Sequence, residues 1–256
     1  MNPMSLDGKT IIVTGSGQGI GKGIAKFAAE LGANVALVDV NADTLNATAD
    51  ELGGNNIKAY AGSVSDSSFV NEMVASVIKD FGSVEGLVNN AGIVRAAMIA
   101  KMEEKNWDQV IDVNLKGVFL CLQAVGKHYI EKAKAGDKTP GAMVNISSDA
   151  GRRGTIGQIN YGAAKSGVLG ITMSSAREWG RYGIRSNSIC FGMVETPMTE
   201  VIRGEKFVDK YLAQIPMGRI ATPAEVAQPV CFLLSEAASY ITGQHLSVNG
   251  GFHIGF

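Results

Sequence analysis

The chain has 256 residues, of which 46% are hydrophobic, and it balances 23 lysines and arginines against 24 aspartates and glutamates. This near-neutral charge gives no signal of a polyanionic partner, so nucleic-acid binding is not implied. No apolar run reaches the length of a membrane span and the first nine residues lack a signal pattern, so we expect a cytoplasmic protein without a membrane partner.

Apolar runs alternate with amphipathic segments along the whole chain. Strands are predicted to begin near Thr10, Asn34, Ile57, Gly86, Ala142, Arg185 and His245, and helices near Gly19, Asp43, Asp66, Lys105, Tyr161 and Pro223. The polar segment 132–141 is interpreted as a loop. The alternation predicts an α/β fold: one doubly wound Rossmann-type domain over residues 1–256, with a seven-stranded parallel sheet between two layers of helices.

The first strand runs into a glycine-rich turn, Thr14-Gly-Ser-Gly-Gln-Gly-Ile-Gly21, and then into a helix. Glycines let the backbone approach a pyrophosphate, and the helix N-terminus supplies free N–H groups and a positive dipole. The strict Gly-x-Gly-x-x-Gly spacing is absent, so a turn without a ligand is the alternative. The flanking strand and helix favour a phosphate site.

The second strand ends in Asp39, twenty residues after Gly19. A dinucleotide-binding fold places a carboxylate at this distance on the adenosine ribose. An ordinary strand-end aspartate is the alternative interpretation, and the distance from the glycine turn favours the ribose contact.

Tyr161 and Lys165 are four residues apart in a predicted helix, so they share one face. A phenol has a pKa of about 10, and a neighbouring ammonium favours the phenolate. Ser148 ends the apolar run that begins at Ala142, where a parallel strand delivers side chains to a site. These residues suit an acid/base tyrosine, a lysine that lowers its pKa, and a hydroxyl that polarises a substrate oxygen. A solvated helix face is the alternative for the Tyr-x-x-x-Lys pair alone.

These motifs together resemble the compact branch of the short-chain dehydrogenase/reductase family over nearly the whole chain. The matching pieces are Thr14-Gly-x-x-x-Gly-x-Gly21, Asn89-Asn-Ala-Gly92, Asn114 within Asp112-Val-Asn-Leu115, Ser148 and Tyr161-x-x-x-Lys165. The chain is most similar to the 3-oxoacyl-carrier-protein-reductase-like group. The resemblance implies four catalytic roles: Tyr161 as acid/base, Lys165 on the nicotinamide ribose, Ser148 on the carbonyl or hydroxyl, and Asn114 anchoring a proton-relay water.

The resemblance also implies the remaining site residues. The expected NAD contacts are Gly15, Gln18, Gly19, Ile20, Gly21, Asp39, Val40, Ser63, Val64, Asn90, Ala91, Gly92, Tyr161, Lys165, Gly192, Val194 and Thr196. The expected substrate contacts are Ser148, Tyr161, Ile156, Gln158, Asn160, Met193 and Met198, beneath a lid over about residues 193–218. No metal is expected, because Cys121, Cys190 and Cys231 have no metal or redox spacing.

Several positions depart from the family pattern. Ser63 stands where many members have an aspartate that contacts adenine, and Phe191 replaces the proline of the usual Pro-Gly pair. Phe191 forms either an aromatic wall near the nicotinamide or part of the core. Arg152 and Arg153 follow the serine closely and either grip an anionic substrate or, as we favour, are solvated or face another subunit.

We therefore predict an NAD-dependent oxidoreductase, a homotetramer by family expectation, that interconverts a small-molecule hydrophobic secondary alcohol and its ketone. The alternative is a 3-oxoacyl-thioester reductase acting on carrier-protein or coenzyme A substrates. Members that serve fatty-acid synthesis usually prefer NADPH and carry basic residues in the glycine turn, whereas Gln18 and Val40 supply none. Those members also dock the carrier on arginines, and Tyr182 stands where one is expected. A third possibility, a cofactor-sensing protein without activity, conflicts with the complete catalytic set.

Overall fold

A computed structural model describes residues 2–255, except for the side chains at positions 201, 202, 205–207 and 210. Seven strands form one sheet in the order β3-β2-β1-β4-β5-β6-β7, and every pair of neighbours is parallel. The strands are β1 (Thr10–Thr14), β2 (Asn34–Asp39), β3 (Ile57–Ala61), β4 (Gly86–Asn89), β5 (Ala142–Ser148), β6 (Arg185–Phe191) and β7 (His245–Val248). The predicted doubly wound Rossmann-type fold, as a single domain, is confirmed.

The helices cover both faces of the sheet. They are α1 (Gly19–Glu30), α2 (Ala42–Leu52), α3 (Ser67–Phe81), α4 (Glu104–Ile111), α5 (Gly117–Lys134), α6 (Ala150–Arg153), α7 (Ile159–Trp179), α8 (Glu200–Arg203), α9 (Glu205–Leu212) and α10 (Pro223–Leu234). No helix within residues 2–255 is long and apolar enough to cross a bilayer.

Burial explains why the strands have nearly continuous apolar sequences. All five residues of β1 are buried, because a parallel sheet is covered by helices on both faces. One core cluster contains Ile11, Val13 and the apolar face of α10, and the other contains Ile12, Met143 and Tyr129 of α5. Residues that alternate along β1 thus serve opposite faces of the sheet.

Two sequence predictions need correction in this part of the fold. The predicted loop at 132–141 begins too early, since α5 continues to Lys134. Between β4 and β5 one helix start was expected, near Lys105, whereas the structure has α4 and α5 joined by a π-helical turn at Asp112–Lys116. Such a turn inserts one residue into the helical repeat, which hides the continuity from a period of 3.6.

The chain reverses direction across the sheet between β1 and β4. From β1 the chain moves outward through β2 and β3, and then returns to pair β4 with the other side of β1. In open α/β sheets, ligands bind in the crevice at the carboxyl ends of the strands at this switch point.

Candidate active site

One cavity of about 440 Å³ lies along the carboxyl ends of the strands. Most of the predicted site residues line it together: Gly15, Gln18, Gly19, Ile20, Asp39, Val40, Ser63, Val64, Asn90, Ala91, Gly92, Ser148, Tyr161, Lys165, Gly192, Val194, Thr196 and Met198. The cavity therefore runs from the glycine turn to the N-terminal part of α7. Within the described residues there is no cluster of histidine, cysteine, aspartate and glutamate that could hold a metal ion.

The glycine turn brings its backbone close to the next strand. Gly15 has a φ of +67°, and a Cβ atom there would lie 2.8 Å from Cα of Ala91. Helix α1 begins behind this turn with no side-chain cap at Gln18 and no acidic residue in its first turn. Its first N–H groups thus have neither intrahelical acceptors nor a capping side chain, as an anion site at a helix N-terminus requires.

Thr14 joins this turn to the loop after β4. Its hydroxyl donates to the carbonyl of Val88 and accepts from the backbone N–H groups of Asn90 and Ala91. The Asn90 amide in turn donates to the carbonyls of Thr14 and Gly15. Thr14 was not among the predicted site residues. Its place at the end of β1, opposite the Asn-Asn-Ala-Gly segment, was the available signal.

The carboxylate of Asp39 is held at the cavity by two backbone amides. Gly17 N–H donates to Oδ2 and Asn41 N–H donates to Oδ1, each at 3.0 Å. Val40 beside it is 74% exposed. Since the two amides fix the carboxylate but leave lone pairs free, Asp39 can accept further hydrogen bonds from ribose hydroxyls.

Ser63 also lies at this end of the cavity, where its hydroxyl is already bonded. Its Oγ lies 2.8 Å from Oγ of Ser65 and accepts from Ser65 N–H at 3.3 Å. Val64 is buried next to it. Ser63 thus faces the predicted adenine position with part of its hydrogen-bonding capacity used.

Helix α7 and strand β5 place three polar side chains at the other end of the cavity. The Nζ atom of Lys165 lies 5.7 Å from the centroid of the Tyr161 ring and donates to the carbonyl of Ile146 at 2.8 Å. The Ser148 Oγ atom accepts from the Ala150 N–H at 3.2 Å. That bond leaves the hydroxyl proton of Ser148 free to donate elsewhere.

Burial shifts the pKa values of both α7 groups. The pKa of Tyr161 is raised from 10.0, because burial disfavours the phenolate, while a hydrogen bond with Ser148 lowers it in part. Burial lowers the pKa of Lys165 from 10.5 to about 8. The expectation that lysine would lower the tyrosine pKa is therefore not met by the protein alone. Burial has the larger influence, and the lowering comes from Ser148.

Asn114 lies in the π-helical turn and is completely buried. Its Oδ1 accepts from the Ile93 N–H at 2.8 Å, and its Nδ2 donates to the Ile93 carbonyl at 2.9 Å. A Cβ atom at Gly92 would lie 3.6 Å from both the Asn114 amide and Lys165 Nζ, so the two side chains flank Gly92. π-Helical turns often occur at functional sites because they redirect the backbone.

Five predicted contacts do not line the cavity. Gly21 packs against the glycine turn, where a Cβ atom would meet the carbonyl of Gly15. Ile156 is 88% exposed, and neither Gln158 nor Met193 reaches the cavity. Asn160 is fully buried and bonds to backbone groups, so the prediction that it faces the substrate is wrong.

Phe191 and the two arginines after Ser148 have mainly structural contacts. Phe191 is 4% exposed within the core and also forms part of the cavity wall, so both interpretations apply. Arg152 donates to Oγ of Ser247 and to the carbonyls of His245 and Gly255. The Arg153 guanidinium stacks 3.8 Å from the Phe252 ring centroid. Both arginines thus bind the C-terminal segment, and neither lines the cavity.

Comparisons with known proteins agree with this arrangement. A protein-family model described as enoyl-(acyl carrier protein) reductase matches residues 15–253. The 3-oxoacyl-(acyl-carrier-protein) reductase FabG of Thermotoga maritima is 40% identical over 250 residues, 97% of this chain and 99% of that relative. The protein of the same name from Vibrio cholerae is 39% identical over 251 residues, 98% of this chain and 100% of that relative. A solved short-chain dehydrogenase/reductase of Brucella melitensis, named glucose/ribitol dehydrogenase, is similar with a TM-score of 0.91 and 31% identity, and 100% of each chain is covered.

Proposed function

Since the chain belongs to the short-chain dehydrogenase/reductase family, we propose that it interconverts a 3-oxoacyl thioester and the corresponding 3-hydroxyacyl thioester. The family consists of oxidoreductases that use a nicotinamide cofactor. One observation supports the proposal above all: Ser148, Tyr161 and Lys165 line the same cavity as Asp39 and the glycine turn.

The cavity suits a nicotinamide dinucleotide at both ends. The glycine turn and the uncapped N-terminus of α1 would hold the pyrophosphate, and Asp39 would accept from the adenosine ribose. Lys165 donates one N–H to Ile146 and keeps two further N–H groups for the nicotinamide ribose. When bound, the nicotinamide supplies the hydride for reduction or takes it up in oxidation.

The protein side chains then manage the proton on the substrate oxygen. In the reducing direction, Ser148 donates a hydrogen bond to the carbonyl oxygen and Tyr161 transfers its phenolic proton to the developing alkoxide. Because burial keeps the pKa of Tyr161 above 10.0, the phenol is protonated at neutral pH and ready to donate. In the oxidising direction the phenolate form of Tyr161 accepts the proton of the substrate hydroxyl; burial disfavours this form and the bond from Ser148 favours it.

The thioester substrate takes precedence over the simple hydrophobic alcohol that the sequence analysis preferred. The relatives from Thermotoga maritima and Vibrio cholerae, which cover nearly the whole chain, are both named for 3-oxoacyl groups. The apolar part of the cavity wall, formed by Ile93, Phe191, Val194 and Met198, fits either substrate.

NAD is proposed as the cofactor in preference to NADP. The fixed carboxylate of Asp39 would repel a 2′-phosphate on the ribose, and Val40 supplies no compensating cation. This preference separates the chain from the NADPH-dependent members of fatty-acid synthesis and suits either direction of turnover.

A second candidate is a secondary alcohol outside the thioester class. The Brucella melitensis structure, which has the same fold over the whole chain, is named glucose/ribitol dehydrogenase, a name that refers to a sugar and a sugar alcohol. In either case we expect a homotetramer.

The test is a panel of substrates assayed with the full-length protein. We expect acetoacetyl-coenzyme A to oxidise NADH, whereas the enoyl thioester crotonyl-coenzyme A does not, because Tyr161 and Ser148 act on an oxygen borne by the carbon that receives the hydride, and C3 of crotonyl-coenzyme A bears none. Turnover of a polyol or alicyclic ketone without turnover of the thioester would establish the second candidate. Turnover of crotonyl-coenzyme A alone would overturn both.

A further inference from the structure

Asn160 is a completely buried polar side chain directly before Tyr161. Its Nδ2 atom donates to the carbonyls of Arg95 and Asn106, each at 3.0 Å. Its Oδ1 atom accepts from the Tyr161 N–H at 2.8 Å. Burying an amide is costly unless it is hydrogen bonded, and here both amide hydrogens and the oxygen have backbone partners.

The bond to Tyr161 replaces one that the helix cannot make. Helix α7 begins at Ile159, so the N–H of Tyr161 belongs to the first turn and has no intrahelical acceptor. Gln158, at the helix N-cap, makes no side-chain capping bond. Asn160 therefore fixes the turn that carries the proposed acid/base group.

The other hydrogen bonds of Asn160 reach segments that surround the cavity. Asn160 binds the carbonyl of Arg95, and Asn114 binds both backbone groups of Ile93, which lines the cavity. Two buried asparagines thus clamp the segment 93–95. Asn160 also binds Asn106 in the first turn of α4, so one amide connects three chain segments around the site.

We propose that Asn160 is a positioning residue, which sets the place of the Tyr161 phenol relative to Ser148 by tying the first turn of α7 to the segment 93–95. This inference rests on the proposed role of Tyr161. Displacing a reacting group by about 1 Å can cost about 100-fold in rate, so loss of this amide should act on turnover more than on cofactor binding.

Asn187 provides a matched control for a purely structural amide. It is 1% exposed, donates to the Ile241 carbonyl at 2.8 Å and accepts from the Gln244 N–H at 3.0 Å. It therefore also bridges backbone groups in the core, but it does not line the cavity. Both Asn160→Ala and Asn187→Ala remove buried hydrogen bonds to backbone groups, but only Asn160 is bonded to Tyr161.

The experiment measures kcat, KM and the Kd of NADH for both variants alongside thermal unfolding. We expect Asn160→Ala to lower kcat by about 10- to 100-fold with the Kd nearly unchanged, and Asn187→Ala to lower the unfolding temperature with kcat nearly unchanged. Asn160→Asp, which keeps an acceptor for Tyr161 but sets a carboxylate against the carbonyls of Arg95 and Asn106, should lower kcat at least as much as Asn160→Ala. Unchanged kcat in Asn160→Ala, or an equal loss in Asn187→Ala, would overturn the proposal, as would failure of both Asn160 variants to fold.

A spectroscopic readout separates this inference from the proposed reaction. In protein with ring-labelled tyrosine, the Tyr161 resonance is identified by its loss in Tyr161→Phe. We expect that resonance to move in Asn160→Ala and Asn160→Asp but not in Asn187→Ala, whether or not the thioester is the substrate. A resonance that stays in place in the Asn160 variants contradicts the positioning role even if the enzyme turns over the thioester.

Discussion

The two edges of the sheet each contain a cavity with charged residues, but the charges are arranged differently. At the amino edge, a cavity of about 330 Å³ is lined by Lys132 and Glu85, 2.7 Å apart, and by Lys9 and Glu236, also 2.7 Å apart. At the carboxyl edge, neither Lys165 nor Asp39 forms an ion pair with another described residue.

The paired charges at the amino edge stabilise the fold, whereas the unpaired charges at the carboxyl edge remain available to bind a ligand. A partly buried pair compensates its own desolvation, as at the amino edge. A buried ammonium without a carboxylate instead lowers stability and shifts its pKa, as Lys165 does. The comparison predicts that substitutions at the carboxyl edge lower activity without lowering stability, whereas those at the amino edge lower stability and leave activity unchanged.

The largest effect is expected at the phenol. Tyr161→Phe removes one oxygen, and we expect turnover to fall by about 10²- to 10⁴-fold or more while the unfolding temperature and NADH affinity stay nearly the same. Steady-state kinetics and thermal unfolding measure both, with Tyr182→Phe, outside the cavity, as the control. A variant with more than about a tenth of wild-type turnover would contradict the acid/base role.

Lys165→Met is expected to raise the free energy of unfolding while abolishing most of the activity. The folded-state pKa of about 8 lies below the ordinary 10.5, so the ammonium destabilises the fold below pH 8 by up to about 3 kcal/mol. Part of this gain is offset by loss of the bond to Ile146. Between about pH 8 and pH 10.5, Lys165 binds fewer protons in the folded state than in the unfolded state, so wild-type stability rises as the pH increases. The stability advantage of Lys165→Met therefore becomes smaller over this pH range.

Urea unfolding of the cofactor-free protein at several pH values measures this effect. Lys116→Met, at an exposed lysine that pairs with Asp112, is the control and should change stability little, because exposed ion pairs contribute little. A variant less stable than wild type at neutral pH would mean that the buried ammonium is compensated by the fold.

Asp39 should select NAD over NADP. Unit charges 4 Å apart repel by about 4 kcal/mol at an effective dielectric of 20, and solvent and salt reduce this value. Even half of it corresponds to more than tenfold discrimination. The ratio of kcat/KM for the two cofactors measures it, and Asp39→Ala with Val40→Arg should narrow or reverse the preference, whereas Asp43→Ala should not. Equal kcat/KM values for NAD and NADP in the wild type would contradict the proposed contact between Asp39 and the ribose.

The smallest effect is expected at the amino edge. Lys132→Ala leaves Glu85 partly buried without its cation, and we expect a loss of about 1–2 kcal/mol with kcat unchanged. Burial raises the pKa of Glu85, but the bonds from Lys132, Ser83 and the Thr10 N–H outweigh it and the pKa is lowered. The carboxylate thus stabilises the fold above its ordinary pKa of 4.5, and this contribution disappears as the pH falls through the lower, folded-state pKa.

Chemical unfolding at neutral and acidic pH tests this prediction. Lys134→Ala on the same helix breaks an exposed pair with Glu131 and should cost almost nothing. A reduced kcat in Lys132→Ala would show that the two edges are coupled rather than separate.

Much of the fold followed from local patterns, whereas two features of the site region did not. All seven strand starts match β1 to β7, since strands buried on both faces have continuous apolar runs that glycine and polar residues interrupt. The helices α8 and α9 in the predicted lid segment were not predicted, because four and eight residues are too short for helical periodicity to be recognised in the sequence. Ile156 was expected in the pocket but is 88% exposed, since position beside a motif does not determine where a loop side chain points.

By itself, the sequence determined the fold class, the family and the order of the motifs, because apolar periodicity and the glycine turn are local properties of the chain. Which side chains lie next to one another depends on the tertiary structure. It gathered Asp39, Ser148 and Tyr161 at one edge, since parallel strands share their carboxyl ends. It also buried the polar Asn160 away from the cavity, where three backbone groups compensate its desolvation. Two of these three partners, Arg95 and Asn106, lie more than fifty residues away in the chain, so no local pattern can reveal them.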